Sequence, residues 1–155
     1  RAKEDKDSYW GDEYAIHDVI GNLFPADYSA LIVPGGTRSI DKIKFAPSLR
    51  SVLSGFVLTG KPVVAYNYAI SLLIDTDLVK GYSIAAGNTS CEALRNKGGH
   101  CASPEFIVSK NLVTLSRYRD AQDKIAMAVS CILNGKPYVE KVMFMDVMPF
   151  AHKVA

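Results

Sequence analysis

Apolar and polar positions along the chain alternate between short buried runs and amphipathic stripes. Residues 29–33, Ser-Ala-Leu-Ile-Val, are short, nearly all apolar and partly β-branched, and they end at Pro34-Gly35-Gly36. That is the pattern of a strand buried on both faces. Ahead of it, residues 14–19 alternate only weakly and residues 22–28 supply a turn. Over residues 47–58, Leu49, Val52, Leu53, Phe56 and Val57 recur at the i, i+3, i+4, i+7, i+8 spacing of an amphipathic helix, closed by Thr59-Gly60. Residues 61–65 then predict a second short buried strand, and residues 68–78 a helix ending before Lys80-Gly81. Strand, helix, strand, helix is the order of a parallel α/β sheet.

Residues 82–86 predict a third strand and residues 90–96 a short helix, with Gly98-Gly99 after it. Residues 106–108 and 112–115 predict a β-hairpin around Lys110-Asn111. A long helix is expected over residues 120–133, with Ile125, Ala128, Val129, Ile132 and Leu133 as its buried stripe. Asp120 or Asp123 suits its start and Asn134-Gly135 its end. The core domain is therefore expected over residues 9–135, between an exposed charged arm at 1–8 and an apolar extension at 136–155. That extension carries Tyr138, Val139, Val142, Phe144, Met145, Val147, Met148 and Phe150, enough apolar surface to pack on its own domain or to cover a partner.

Composition narrows the function. With 155 residues, 48% of them hydrophobic, the chain can bury roughly 68–70% of its unfolded surface and hold a core without disulfides or metal. A net charge of +2, with acidic residues interleaved among the basic ones, argues against nucleic acid as partner. No apolar run reaches the length of a membrane span, and the first residues, Arg-Ala-Lys-Glu-Asp-Lys-Asp, do not form a signal peptide. Cys91, Cys101 and Cys131 are odd in number and lack C-x-x-C spacing, so neither a disulfide framework nor a zinc site is expected. The simplest reading is an intracellular protein of a reducing compartment, the cytoplasm first. No cofactor and no metal are implied.

In open α/β sheets the working site lies beyond the carboxyl ends of the strands. Pro34-Gly35-Gly36 there exposes backbone N–H groups able to face an oxyanion, or is simply a tight turn. Residues 60–69, Gly-Lys-Pro-Val-Val-Ala-Tyr-Asn-Tyr-Ala, run a strand directly into a helix, the layout of a nucleophile elbow.

Tyr28 to Gly36, Gly60 to Ala65, Leu72-Leu73, Leu78-Val-Lys-Gly81, Asn96-Lys-Gly-Gly-His100 and Asn111-Leu-Val-Thr114 together resemble the ThiJ/PfpI (DJ-one/PfpI) family of the class I glutamine-amidotransferase-like superfamily. The likeness runs from about Tyr14 to Gly135. It implies a flavodoxin-like three-layer α/β sandwich with a mainly parallel sheet, usually homodimeric, with a reactive cysteine at the elbow in the pattern Ala-Ile-Cys-His-Gly. Here the corresponding residues are Ala65, Tyr66, Asn67, Tyr68 and Ala69. Asn67 suits a strained backbone but is no nucleophile, so the family's thiol chemistry has no atom to use at this position.

The resemblance makes Gly35, Gly36 and Tyr68 an oxyanion-hole-like group and Tyr66, Asn67, Tyr68 and His100 the lining of the pocket. His100 corresponds to a histidine that lies near the elbow in part of the family; it is a surviving base or, the favoured reading, a loop histidine with no partner. A relocated nucleophile at Cys101 or Cys91 is disfavoured, and Cys131 reads as a small core residue. Relative to the family the chain begins late. An upstream strand-helix-strand, removed or carried on another chain, is expected to complete the sheet. Two functions follow from the resemblance. One is a catalytically degenerate family member serving as a structural or regulatory subunit, a homodimer or part of a larger assembly. The other is an active hydrolase, glyoxalase or deglycase-like enzyme using non-standard residues.

Overall fold

A computed structural model describes residues 19–86, 88–102, 105–116 and 121–139. The charged arm at 1–8 and most of the apolar extension lie outside the described residues, as do residues 14–18 and Asp120. Short 3-10 turns at Ile20–Asn22 and Pro25–Asp27 lead into β1 (Leu31–Val33), then α1 (Thr37–Ile43), α2 (Leu49–Val57) and β2 (Val63–Tyr66). A 3-10 turn at Asn67–Ala69 opens α3 (Ile70–Asp75). β3 (Ser83–Ala85), α4 (Asn88–Asn96), β4 (His100–Ala102), β5 (Phe106–Ser109), β6 (Leu112–Leu115) and α5 (Gln122–Leu133) complete the order.

β1, β2 and β6 are parallel and β5 closes the sheet antiparallel, in the order β1-β2-β6-β5; β3 and β4 form a second, parallel pair. The 2-residue period of the strands divides the core into two layers. Val63 and Ala65 of β2 and Leu112 of β6 join the buried faces of α2 and α3, with Phe56, Leu53 and Leu73 at 1–2% exposure. Val64, Val113 and Leu115 point the other way, against Ile125 and Ala128 of α5. Helices on both faces of a mainly parallel sheet make the flavodoxin-like sandwich. The α2 stripe expected from the sequence, Leu49, Val52, Leu53, Phe56 and Val57, is buried in full. At roughly 1.5–3 kcal/mol per large apolar side chain, it is a principal contributor to stability.

β3 lies over the α2–α3 side of the sheet, fixed by two side-chain acceptors. The Ser83 amide donates to Ser109 Oγ at 2.9 Å and the Ala85 amide donates to the buried Thr114 Oγ1 at 2.9 Å. Asn111, 6% exposed, locks the hairpin turn to its surroundings: its amide nitrogen donates to the carbonyls of Val57 (3.0 Å) and Lys61 (2.9 Å), and its oxygen accepts from the Tyr82 hydroxyl (3.1 Å).

Several expectations are corrected. β1 is not buried on both faces: Ile32 is 53% exposed, because among the described residues β1 pairs with β2 alone and no helix covers that face. The helix expected over 68–78 is divided into a 3-10 turn and a six-residue α-helix, since Asn67 turns left-handed and Asp77 does so again at the other end. α1 is an element that the sequence pattern does not predict. Leu133 is 53% exposed and leaves the α5 stripe, and Cys131 on the same helix is only half-buried. Ala121 is the N-cap of α5 and no side chain caps it, so Asp123 contributes only its charge in the first turn.

The cysteines bring the largest correction. Cys91 on α4 and Cys101 on β4 are disulfide-paired, with α-carbons 5.3 Å apart. The odd count hid the pair because Cys131 is the free thiol. The cysteine argument for a reducing compartment falls with it.

Candidate functional site

Val33 of β1 and Ala65 of β2 are in register, so the Pro34-Gly35-Gly36 turn and the Tyr66-Asn67-Tyr68 turn leave the sheet side by side at the carboxyl ends of parallel strands. Asn67 has φ of 43°, the left-handed conformation of an elbow residue. For most side chains that backbone costs roughly 1–2 kcal/mol, and asparagine is among the few that visit it routinely. The chain then enters the 3-10 turn, where the Ile70 amide donates to the carbonyls of Asn67 and Tyr68, and the Ser71 hydroxyl donates to the Tyr68 carbonyl at 2.7 Å.

Gly35 is there because nothing larger fits. A β-carbon at this position would overlap the Tyr66 carbonyl oxygen and lie 3.1 Å from the Asn67 β-carbon. The glycine therefore lets the first turn close directly onto the elbow. Gly36 has ordinary dihedrals, φ of −66° and ψ of 120°, and serves as the N-cap of α1.

The side chains around the elbow diverge. Tyr66, half-buried, packs on the α5 side of the sheet, where burial pushes its phenol above the ordinary tyrosine pKa. Tyr68 is 43% exposed. Lys44, just past α1, is held above the ordinary lysine value chiefly by its hydrogen bond and charge attraction to Asp41 (3.0 Å), with smaller attractions to Tyr68 and Asp75. The elbow thus presents a carboxamide, an exposed phenol and a nearby ammonium. Such groups can hydrogen-bond a polar ligand, and they include no thiol.

His100 stands apart from them. It opens β4, opposite Ser83, and its amide donates to the Tyr82 carbonyl at 2.8 Å. Ser83 lies beside Ser109, at the level of Leu112 and Val63, whereas Asn67 follows the last residue of β2. Four residues of strand at about 3.3 Å each put the two levels about 13 Å apart, beyond the reach of a general base. The exposed His100 side chain therefore does not line a pocket with Tyr66, Asn67 and Tyr68. The sequence offset from the glycine pair gave no information on which end of β4 the histidine would occupy.

Among the described residues no three His, Cys, Asp or Glu side chains are grouped as a metal site requires, and no helix is long and apolar enough to cross a membrane.

A family model described as the DJ-1/PfpI family matches residues 3–131. The chain belongs to the DJ-1/PfpI family. Among its relatives, the Bacillus subtilis protein named "Putative cysteine protease YraA" is 34% identical over 104 residues, 67% of this chain and 61% of that protein. The Escherichia coli "Protein/nucleic acid deglycase 2" is 31% identical over 105 residues, 68% of this chain and 60% of the relative. The match thus spans about three-fifths of the length of these curated relatives. The fold is shared with a ThiJ/PfpI domain protein from Brachyspira murdochii, with a TM-score of 0.63 at 15% identity, covering 77% of this chain and 68% of the other. Membership in the DJ-1/PfpI family fits the left-handed elbow after β2 and the glycine turn pressed against it.

Proposed function

We propose that this DJ-1/PfpI protein is catalytically silent at its elbow and acts as a structural or regulatory subunit through protein–protein contacts, as a homodimer or within a larger assembly. The observation that carries the reading is Asn67: it holds the left-handed elbow backbone, φ 43°, where the family resemblance implies a cysteine. A carboxamide has no ionisable group near neutral pH and cannot become the attacking species. Phe24 (66% exposed), Phe45 (81%) and Leu58 (76%) are large apolar side chains at the surface of the described residues that another chain could cover.

The second reading is an active hydrolase, glyoxalase or deglycase-like enzyme with non-standard groups. It is favoured by the names of the relatives, one a deglycase and one a cysteine protease, and by the exposed Tyr68 phenol at the elbow. Incubation with methylglyoxal separates the two. The silent reading expects no turnover by the natural protein and a newly reactive thiol in Asn67→Cys, detected by alkylation at that position. Turnover that is lost in Tyr68→Phe or Asn67→Ala overturns it.

A further inference from the structure

Cys91 and Cys101 lie outside the elbow and have no part in the proposed function. Their α-carbons are 5.3 Å apart, inside the range a disulfide spans without moving backbone. That approach is built by the turn between α4 and β4. Gly98 adopts φ of 81°, and a β-carbon on Gly99 would crowd the Leu94 side chain and lie 3.1 Å from the Val79 carbonyl oxygen. The reversal lays β4 back along α4 and brings together two sulfurs ten residues apart in sequence.

The surroundings serve the reduced state as well. Each Sγ lies 3.8 Å from the Ala86 carbonyl oxygen, whose two lone pairs can accept from two thiols. The two sulfurs differ in access: Cys91 is 8% exposed, whereas Cys101 is half-buried on β4, which among the described residues pairs with β3 alone. A pair whose backbone suits the disulfide and whose polar contacts suit the dithiol can pass between the two without unfolding.

We propose that Cys91 and Cys101 form a reversible redox site that exchanges with low-molecular-weight disulfides of the glutathione type. Cys101, as thiolate, attacks one sulfur of the oxidised small molecule, forming a mixed disulfide and releasing the first small thiolate. Cys91, as thiolate, then attacks the Cys101 sulfur, forming the protein disulfide and releasing the second. Two protein thiols are oxidised, one small disulfide is reduced to two thiols, and the two protons pass to the leaving thiolates. In the oxidised form α4 is pinned to β4; in the reduced form the two are joined by the glycine turn and their packing alone.

The whole protein is reduced, freed of reductant, incubated with oxidised glutathione, quenched with N-ethylmaleimide and weighed intact. The expected result is loss of the Cys91 and Cys101 thiols to alkylation, no glutathione retained on either, a Cys91–Cys101 peptide after digestion, and recovery of all three thiols with dithiothreitol. Cys91→Ser should instead retain one glutathione on Cys101, because the resolving thiol is gone. Three alkylated thiols in the oxidised sample overturn the proposal, as do a lasting glutathione adduct on Cys91 or Cys101 of the natural protein, a bridge to Cys131, or a disulfide that opens only when the protein is denatured. The natural-protein measurements decide the matter even if the variant fails to fold.

Discussion

A β-carbon placed on Gly35 would stand 3.1 Å from the β-carbon of Asn67 and overlap the carbonyl oxygen of Tyr66, so the first glycine turn fixes how closely the elbow can approach it. Backbone, unlike the tip of a flexible side chain, cannot move aside cheaply. Gly35→Ala should therefore destabilise the protein by about 1–3 kcal/mol, the usual cost of overpacking. Urea denaturation checks this, with Gly36→Ala as the control: its nearest neighbour is the Ser39 hydroxyl oxygen at 3.6 Å, an ordinary contact. Equal losses in the two variants would contradict the assignment of Gly35 as the tight position.

Asn67 is expected to be kept by its backbone rather than by burial. At φ of 43° a β-branched residue is strained, whereas glycine is at ease. Asn67→Val should cost about 1–2 kcal/mol more than Asn67→Gly, since both lose the carboxamide and only valine strains the backbone. The comparison is read from denaturation midpoints at fixed slope. A valine variant as stable as the natural protein would show that the elbow relaxes.

The α2 stripe and the hairpin around Lys110-Asn111 were legible in the sequence because each rests on local chemistry: helical periodicity in one case, a short turn between β-branched runs in the other. The elbow was legible as well, through the direct passage from Val63-Val64-Ala65 into the next helix. What escaped was non-local. The exposure of Ile32 depends on which strand and helix lie beside β1, the placement of His100 depends on the register of β4 with β3, and the Cys91–Cys101 pair depends on a chain reversal at Gly98-Gly99. Each of these is decided by what a residue meets in space, and its own neighbours in sequence do not encode that. α1 escaped for a different reason: Thr37-Arg-Ser-Ile-Asp-Lys-Ile43 buries only Ile40 and so shows no stripe.

Asn111 should be more costly to lose than its polar character suggests. Its side chain donates to the carbonyls of Val57 and Lys61 and accepts from Tyr82, so Asn111→Leu strands the Lys61 carbonyl, leaves the Val57 carbonyl with the Gly60 amide alone (3.3 Å) and puts an apolar side chain beside both. A loss of about 2–4 kcal/mol is expected, against about 1 kcal/mol for Tyr82→Phe, which removes only one partly buried bond. Thermal or urea unfolding of the two variants gives the ratio.

Burial raises the Tyr66 pKa above the ordinary value of 10.0, so the folded state disfavours the phenolate. The unfolded chain then ionises first as pH rises. The contribution of Tyr66 to stability is fully present below pH 10 and declines as pH passes through the raised folded value. Burial raises Tyr82 in the same way, so the tyrosinate absorbance of the folded protein should include components titrating above pH 10 from both, and Tyr66→Phe should reduce that amplitude by one tyrosine while Tyr82 remains. An unchanged titration curve in that variant would contradict the assignment.

The disulfide between Cys91 and Cys101 closes a loop of ten residues' separation, short enough that its effect on the unfolded chain is modest but measurable. Loop-closure entropy for that span amounts to about 3 kcal/mol at room temperature. For a domain of this size, 1 kcal/mol moves the midpoint by roughly 2–4 °C, so reduction should lower Tm by on the order of 10 °C. The double variant Cys91→Ser/Cys101→Ser should melt near the reduced protein and lose its response to dithiothreitol, while Cys131→Ser should keep that response. If reductant leaves the Tm of the oxidised natural protein unchanged, the bond does not constrain the unfolded chain, and the pinning of α4 to β4 is not a source of stability.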